Sequence, residues 1–161
     1  MSKDNPAWGK PNSPVGRVNR KEYLISSICL FVYTFLVLLF GTLASGFVAG
    51  MAGKFAGIAV GILFIAWAGY LYWKYLMVCV KRWHDLNLSG WMCLITFACS
   101  ILPFFYLIAL LTKQMELFLT VAYIHDYAQW GFAILSLIQL FVKGTKGPNK
   151  YGPDPLEQKI G

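Results

Sequence analysis

Residues 28–40 read ICLFVYTFLVLLF (Ile28 through Phe40), thirteen consecutive positions without a charge, a glycine or a proline. Extended outward, this apolar run reaches from about Tyr23 to Ser45. That is close to the ~20 residues a helix needs to cross ~30 Å of hydrocarbon at 1.5 Å per residue. Three further stretches have the same character: Phe55 to Val80, Gly90 to Leu111, and Ala122 to Val142. With all four drawn across a membrane, twelve of the fourteen Lys/Arg residues fall on one side. They are Lys3, Lys10, Arg17, Arg20, Lys21, Lys74, Lys81, Arg82, Lys143, Lys146, Lys150 and Lys159, against only Lys54 and Lys113 on the other. Cations accumulate on the cytoplasmic side of membrane proteins, so both termini and the middle loop are expected there. The expected fold is all-α: a polytopic four-helix transmembrane bundle (residues 16–143) between a flexible cytoplasmic arm (1–15) and a turn-rich cytoplasmic tail (144–161).

Composition leads to the same class. Hydrophobic residues make up 58% of the 161 positions and charged residues 13%, about half the charged fraction of an ordinary soluble domain. The net charge of +7 does not imply nucleic acid, because the cations flank the spans instead of forming a basic stripe. There they set topology and attract anionic lipid headgroups. The first 22 residues are polar and precede an apolar run longer than a leader's hydrophobic core, which predicts a retained anchor. Cys29, Cys79, Cys93 and Cys99 lie in or beside spans without a C-x-x-C pair, and read as packing residues, not structural disulfides.

Several positions carry two readings. Gly53, Gly57 and Gly61 are spaced four apart on one face of the second span, either for packing within the bundle or for a homodimer. Lys74 sits seven residues before Lys81, so its stem is expected to snorkel to the headgroups and not to serve as a buried functional lysine. Pro103 should kink the third span. His125 and Asp126 belong to an interfacial helix or an extended outer turn of the fourth span, near the surface; the alternative places them in a polar cavity.

The densest chemistry is in Lys81-Arg82-Trp83-His84-Asp85-Leu86-Asn87-Leu88-Ser89-Gly90-Trp91. Ser89 is a candidate N-cap for the third span, and Trp83 and Trp91 suit the interface. Arg82-Trp83-His84-Asp85 with Ser89-Gly90-Trp91 resembles the central signature of a bacterial inner-membrane family catalogued as domain of unknown function 805. Gly16-Arg17-Val18-Asn19-Arg20-Lys21-Glu22-Tyr23 is similar to its opening motif, and Gly147-Pro148-Asn149-Lys150-Tyr151-Gly152-Pro153-Asp154-Pro155 to its closing one. The chain departs from the family pattern at Leu24, Leu88 and Met92. The resemblance implies a bacterial cytoplasmic (inner) membrane protein and no activity, since none is assigned to the family.

Topology brings Arg17, Arg20, Arg82, His84, Asp85, Ser89, Trp91, Asn149 and Asp154 to one face as a candidate polar cluster, in which Asp85 is expected to accept from Arg17, Arg20 or Arg82. Such a cluster is a structural latch or a site for an anionic headgroup. Neighbouring His84 and Asp85 diverge too far to form a catalytic pair, and no nucleophile elbow, phosphate-cradling loop or zinc spacing is present. No catalytic, metal or cofactor site is therefore expected. The reading is a non-catalytic accessory, assembly or lipid-contacting subunit whose partners are membrane lipids, a membrane protein or a second copy. The alternative is a small transporter or homo-oligomeric channel lined by Gln139 or Lys74, and a membrane-embedded enzyme comes third.

Overall fold

The computed structural model describes residues 12–95, 97–98, 105, 108–109, 112–113 and 115–157. Among these the regular structure is helical, and one isolated antiparallel bridge joins Asn149 and Gly152. Helix α1 runs from Arg20 to Ala52 and α2 from Lys54 to Asp85. The Asn19 side chain begins α1 by accepting the Glu22 amide at 2.9 Å, which satisfies one of the amides a first turn leaves over. A single residue, Gly53, reverses the chain. Its φ of +94° lies in the region open to glycine and costly for a side chain, and its amide closes back on the Ala49 carbonyl at 3.2 Å.

The two helices pack as a close hairpin because small residues let the backbones approach. A methyl group at Gly57 would fall 2.5 Å from the Ala49 Cβ and 2.7 Å from the Ser45 carbonyl, and one at Gly41 would overlap the Phe64 ring. Ser45 Oγ uses this proximity to donate to the Gly57 carbonyl at 2.7 Å. Gly61 faces Ser45 as well. The glycine face thus serves packing inside the chain. Gly53 is not part of that face: it is the turn, with open space where its side chain would be.

After α2 the chain turns through Leu86 and Asn87, the latter at a φ of 60°. Ser89 Oγ accepts the Trp91 amide at 3.4 Å and opens a short 3-10 turn, Gly90–Met92, with helical backbone continuing at 93–95 and 97–98. Helix α3 spans Met115–Phe141. It meets the hairpin near its C-terminal end, where Leu135, Ile138 and Gln139 pack against the core formed by Val18, Tyr23, Val78, Cys79, Trp83 and Cys93.

Only 17% of the most apolar eighteen-residue stretch of either α1 or α2 is buried inside the molecule. Phe31 and Phe55 are 74% and 91% exposed. A helix from a soluble core of this hydropathy would hide those groups. Both helices are long and apolar enough to cross a membrane.

The helices run beyond the apolar stretches read from the sequence. The helix that carries the first apolar stretch runs past Ser45 to Ala52, packing through Gly41 and Ser45 while Gly46 faces open space. Lys81 to Asp85 belongs to the last turns of α2, so the loop proper shrinks to residues 86–89. His125 and Asp126 lie within α3, which extends seven residues N-terminal to Ala122. His125 is partly covered and touches Gln129 Nε2 at 3.0 Å, while the Asp126 side chain is 78% exposed. Lys74 Nζ rests over the Tyr70 ring, 4.7 Å from its centre. Pro103 and Cys99, much of the expected third span and residues 1–11 of the N-terminal arm lie outside the described residues.

Candidate functional site: a buried polar knot

The hairpin brings Arg17, just before α1, against the last turn of α2, and the tail after α3 folds over both. Asp85 is at the centre. Its Oδ1 accepts from Arg17 Nε at 3.2 Å and Arg17 Nη2 at 3.1 Å, and its Oδ2 accepts from Arg82 Nη1. Each carboxylate oxygen therefore has its own guanidinium. Arg17 and Arg82 are completely buried and Asp85 is 3% exposed. Burial is the largest influence on the Asp85 carboxyl and raises its pKa, while Arg82 and Arg17 pull it down. The pairing form is the anion, because a protonated Asp85 would leave two buried cations without a counter-charge.

The donors that Asp85 does not use go to backbone carbonyls, and this recruits the tail. Arg17 Nη1 donates to the Gly147 carbonyl at 2.7 Å and the Gly152 carbonyl at 3.2 Å, and Nη2 donates to the Thr145 carbonyl at 2.6 Å. Arg82 Nε donates to the Gln139 carbonyl at 2.7 Å and Nη2 to that of Val142. These carbonyls lie at and beyond the C-terminal end of α3, where a helix leaves acceptors unsatisfied. Gly144 lies so close to the Asp85 carboxylate that a Cβ there would overlap it.

A second layer closes the knot. Thr145 donates to the Asp85 carbonyl from both its amide (2.9 Å) and its hydroxyl (3.1 Å). Asn149 Nδ2 donates to the His84 carbonyl and to Thr145 Oγ1, each at 2.9 Å. Asp154 accepts the Gly147 and Leu156 amides, both at 2.9 Å, and so ties the ends of the tail turn together. Beneath, the Tyr23 hydroxyl donates to Gln139 Oε1 at 2.6 Å.

His84 points away from Asp85, as side chains of successive helical residues do. Its Nδ1 lies 3.3 Å from the Gly16 carbonyl. That oxygen can only accept, so Nδ1 carries the proton. The ring stacks on Tyr151 with centres 3.8 Å apart and planes 6° from parallel. Burial, and more weakly the Lys150 charge, lower the His84 pKa, which favours the neutral ring.

Of the residues singled out in the sequence, the fold brings Arg17, Arg82, His84, Asp85, Asn149 and Asp154 together. Arg20 stays exposed and donates to the Phe141 carbonyl at 3.2 Å, away from Asp85. Ser89 and Trp91 are also exposed and stand apart from the knot. Thr145, Gly144 and Gln139 are central to it, yet sequence reasoning placed only Gln139 among useful polar groups and missed its role here. The sequence signal for Gly144 and Thr145 is their position directly after an apolar run, where free carbonyls collect. Cys29, Cys79 and Cys93 are free thiols. Among the described residues no group of three His, Cys, Asp or Glu side chains is arranged to hold a metal.

The three knotted segments are the three motifs quoted above. No curated protein and no solved structure matches the chain. Residues 12–153 match the family described as protein of unknown function (DUF805). That match takes in the residue before Ser13 and every donor and acceptor of the knot up to Gly152, and the chain belongs to the DUF805 family.

Proposed function

We propose that the chain is a four-span protein of the bacterial cytoplasmic membrane, with both termini inside. It has no catalysis of its own and works as an accessory, assembly or lipid-contacting subunit. The polar knot is the latch that holds its cytoplasmic face together. The observation that carries this reading is the way Asp85, Arg17 and Arg82 spend their polar atoms on one another and on backbone carbonyls. A catalytic or headgroup-binding cluster keeps donors available for its ligand, whereas these are buried and engaged. Contact with partners then falls to the surface around the knot.

Membrane residence is supported by the outward-facing apolar surface of α1 and α2. Orientation is supported by the charges: Arg17, Arg20, Lys21, Lys81 and Arg82 gather at the open end of the hairpin with Lys143, Lys146 and Lys150, and Lys54 stands at its tip. The accessory reading is preferred to transport because Gln139 is 4% exposed and bonded to Tyr23, and Lys74 lies over Tyr70.

The test is purification in gentle detergent with native mass spectrometry on wild type, Arg82→Ala and Asp85→Ala. The latch reading expects both variants to melt at lower temperature, and wild type to carry lipid or a protein partner. Variants that stay as stable as wild type but shed one specific ligand would make the knot a binding site instead. A wild type bare of lipid and partner would remove the accessory role.

A further inference from the structure

Beside the knot, an apolar groove of about 750 Å³ runs along α2 and the chain that follows the 3-10 turn. Its walls include Tyr72, Leu76, Val80, Leu94 and Phe97, and its ends differ chemically. Gly69 closes the deep end, while His84, Ser89, Trp91 and Tyr151 form the mouth. From Gly69 to His84 is fifteen residues of α2, or ~22 Å at 1.5 Å per residue. That is half of a bilayer whose full thickness, headgroups included, is ~40–45 Å. The groove therefore has the depth of one leaflet, and its polar end is at the headgroup level of the proposed orientation.

A positive charge stands beside the mouth, outside the lining itself. Lys150 Nζ sits over the Tyr151 ring, 4.9 Å from its centre, and Tyr151 stacks on His84. Ser89 is exposed and its hydroxyl proton is available to an acceptor, and Trp91 is 75% exposed at the rim. Trp is favoured at this depth because its ring is apolar and its N–H is polar. Gly90 keeps the wall thin: a methyl there would fall 2.7 Å from Val80 Cγ1 and 3.1 Å from His84 Nε2.

We infer that this groove is a binding site for one anionic phospholipid of the cytoplasmic leaflet. An acyl chain lies along Tyr72, Leu76 and Phe97, and the phosphate is held at the mouth by Lys150 and Ser89. The inference rests on the lipid-contacting membrane reading proposed above and names the lipid class and the place. The knot serves it indirectly, since Asn149 and Thr145 fix the tail turn that carries Lys150 and Tyr151 over the groove.

The experiment is native mass spectrometry of the full chain in detergent, titrated with dioleoyl phosphatidylglycerol or dioleoyl phosphatidylcholine. Wild type should retain one phosphatidylglycerol with roughly fivefold preference, the equivalent of ~1 kcal/mol for one lysine near an anionic headgroup. Lys150→Glu should abolish the preference. Gly69→Leu should lower retention of both lipids, because a Cβ at this groove-lining position meets open space and the added side chain takes up room in the groove; an unchanged melting temperature checks that the fold is kept. Gly46→Leu, also into open space but on α1, should change nothing. Equal retention of the two lipids, or a Gly69→Leu protein that binds like wild type, would overturn the groove site while leaving lipid contact in place. A lipid-free dimer would assign the groove to a second copy. A wild type that retains neither lipid would end both the groove site and the lipid-contacting reading.

Discussion

The Arg17 guanidinium and the Asp85 carboxylate meet at 3.1 Å across sixty-eight residues of sequence, both shielded from solvent. Arg82 takes the other carboxylate oxygen from only three residues away. A buried ion pair adds little by being present, but removing one partner strands a charge in a low-dielectric interior. Asp85→Ala should destabilise the protein by about 3–5 kcal/mol, because it leaves two buried guanidiniums without a counter-charge, and Arg17→Ala should cost less, because Arg82 still pairs the carboxylate. The double variant should cost clearly less than the sum, because one buried cation (Arg82) is then left without the carboxylate instead of two. Reversible unfolding in mixed micelles reads all three. Additive single and double effects would show that the two residues act separately.

Gly144 reports the same contact from the tail side. Since a Cβ there would overlap the carboxylate, Gly144→Ala must displace Asp85 from its two guanidiniums. The expected loss is on the order of 2–4 kcal/mol, comparable to other forced breaks of a buried polar network. Gly46→Ala is the control: its Cβ meets open space, and alanine within a helix should be neutral or gain about 0.5–1 kcal/mol. The thermal midpoint should therefore fall for Gly144→Ala and hold or rise for Gly46→Ala.

His84 should make stability depend on pH in one direction. Burial lowers its pKa in the folded protein relative to the unfolded chain, whose histidine titrates near ~6.5. Between those values the unfolded chain binds more protons, so stability rises with pH in that window. The contribution is fully present above the unfolded value and is lost as pH falls through the folded one. Melting of wild type and His84→Gln at pH 8, 7, 6 and 5 should give curves that converge at low pH, with wild type losing more. Parallel curves would show that the ring titrates alike in both states.

The hairpin turn and its packing face should separate in the same assay. Gly53→Ala places a side chain at a φ of +94° with space around it, so the cost is backbone strain of about 1–2 kcal/mol. Gly57→Ala meets the Ala49 Cβ at 2.5 Å and the Ser45 carbonyl at 2.7 Å, which pushes two helices apart and breaks the Ser45–Gly57 bond. The second loss should exceed the first. A reversal would mean that α1 and α2 tolerate separation.

Much of the helical fold is legible in the chain because apolar length and helix rise are local quantities. The run around residues 28–40 announces a long apolar helix, and so does the stretch from Phe55 to Val80. Helix ends are less legible. Lys81 to Asp85 looks like loop because charged residues usually face water, yet here they extend α2 and are bonded inward. The first apolar stretch ends near Ser45, yet α1 runs on to Ala52, with Gly41 packed against Phe64.

The polar site divides in the same way. Three dense motifs in one chain mark Arg17, Arg82, Asp85, Asn149 and Asp154 as candidates, and the cation pattern assigns them to a common face. That pairing of motif and charge is a property of order along the chain, and the amino-acid sequence by itself determined it. Only the tertiary structure decided that Asp85 is divided between Arg17 and Arg82, that His84 turns to Gly16 and Tyr151, and that Arg20, Ser89 and Trp91 stay outside. The physical reason is that these contacts depend on helix phase and on carbonyls freed at the end of α3, and neither is encoded by residue type alone.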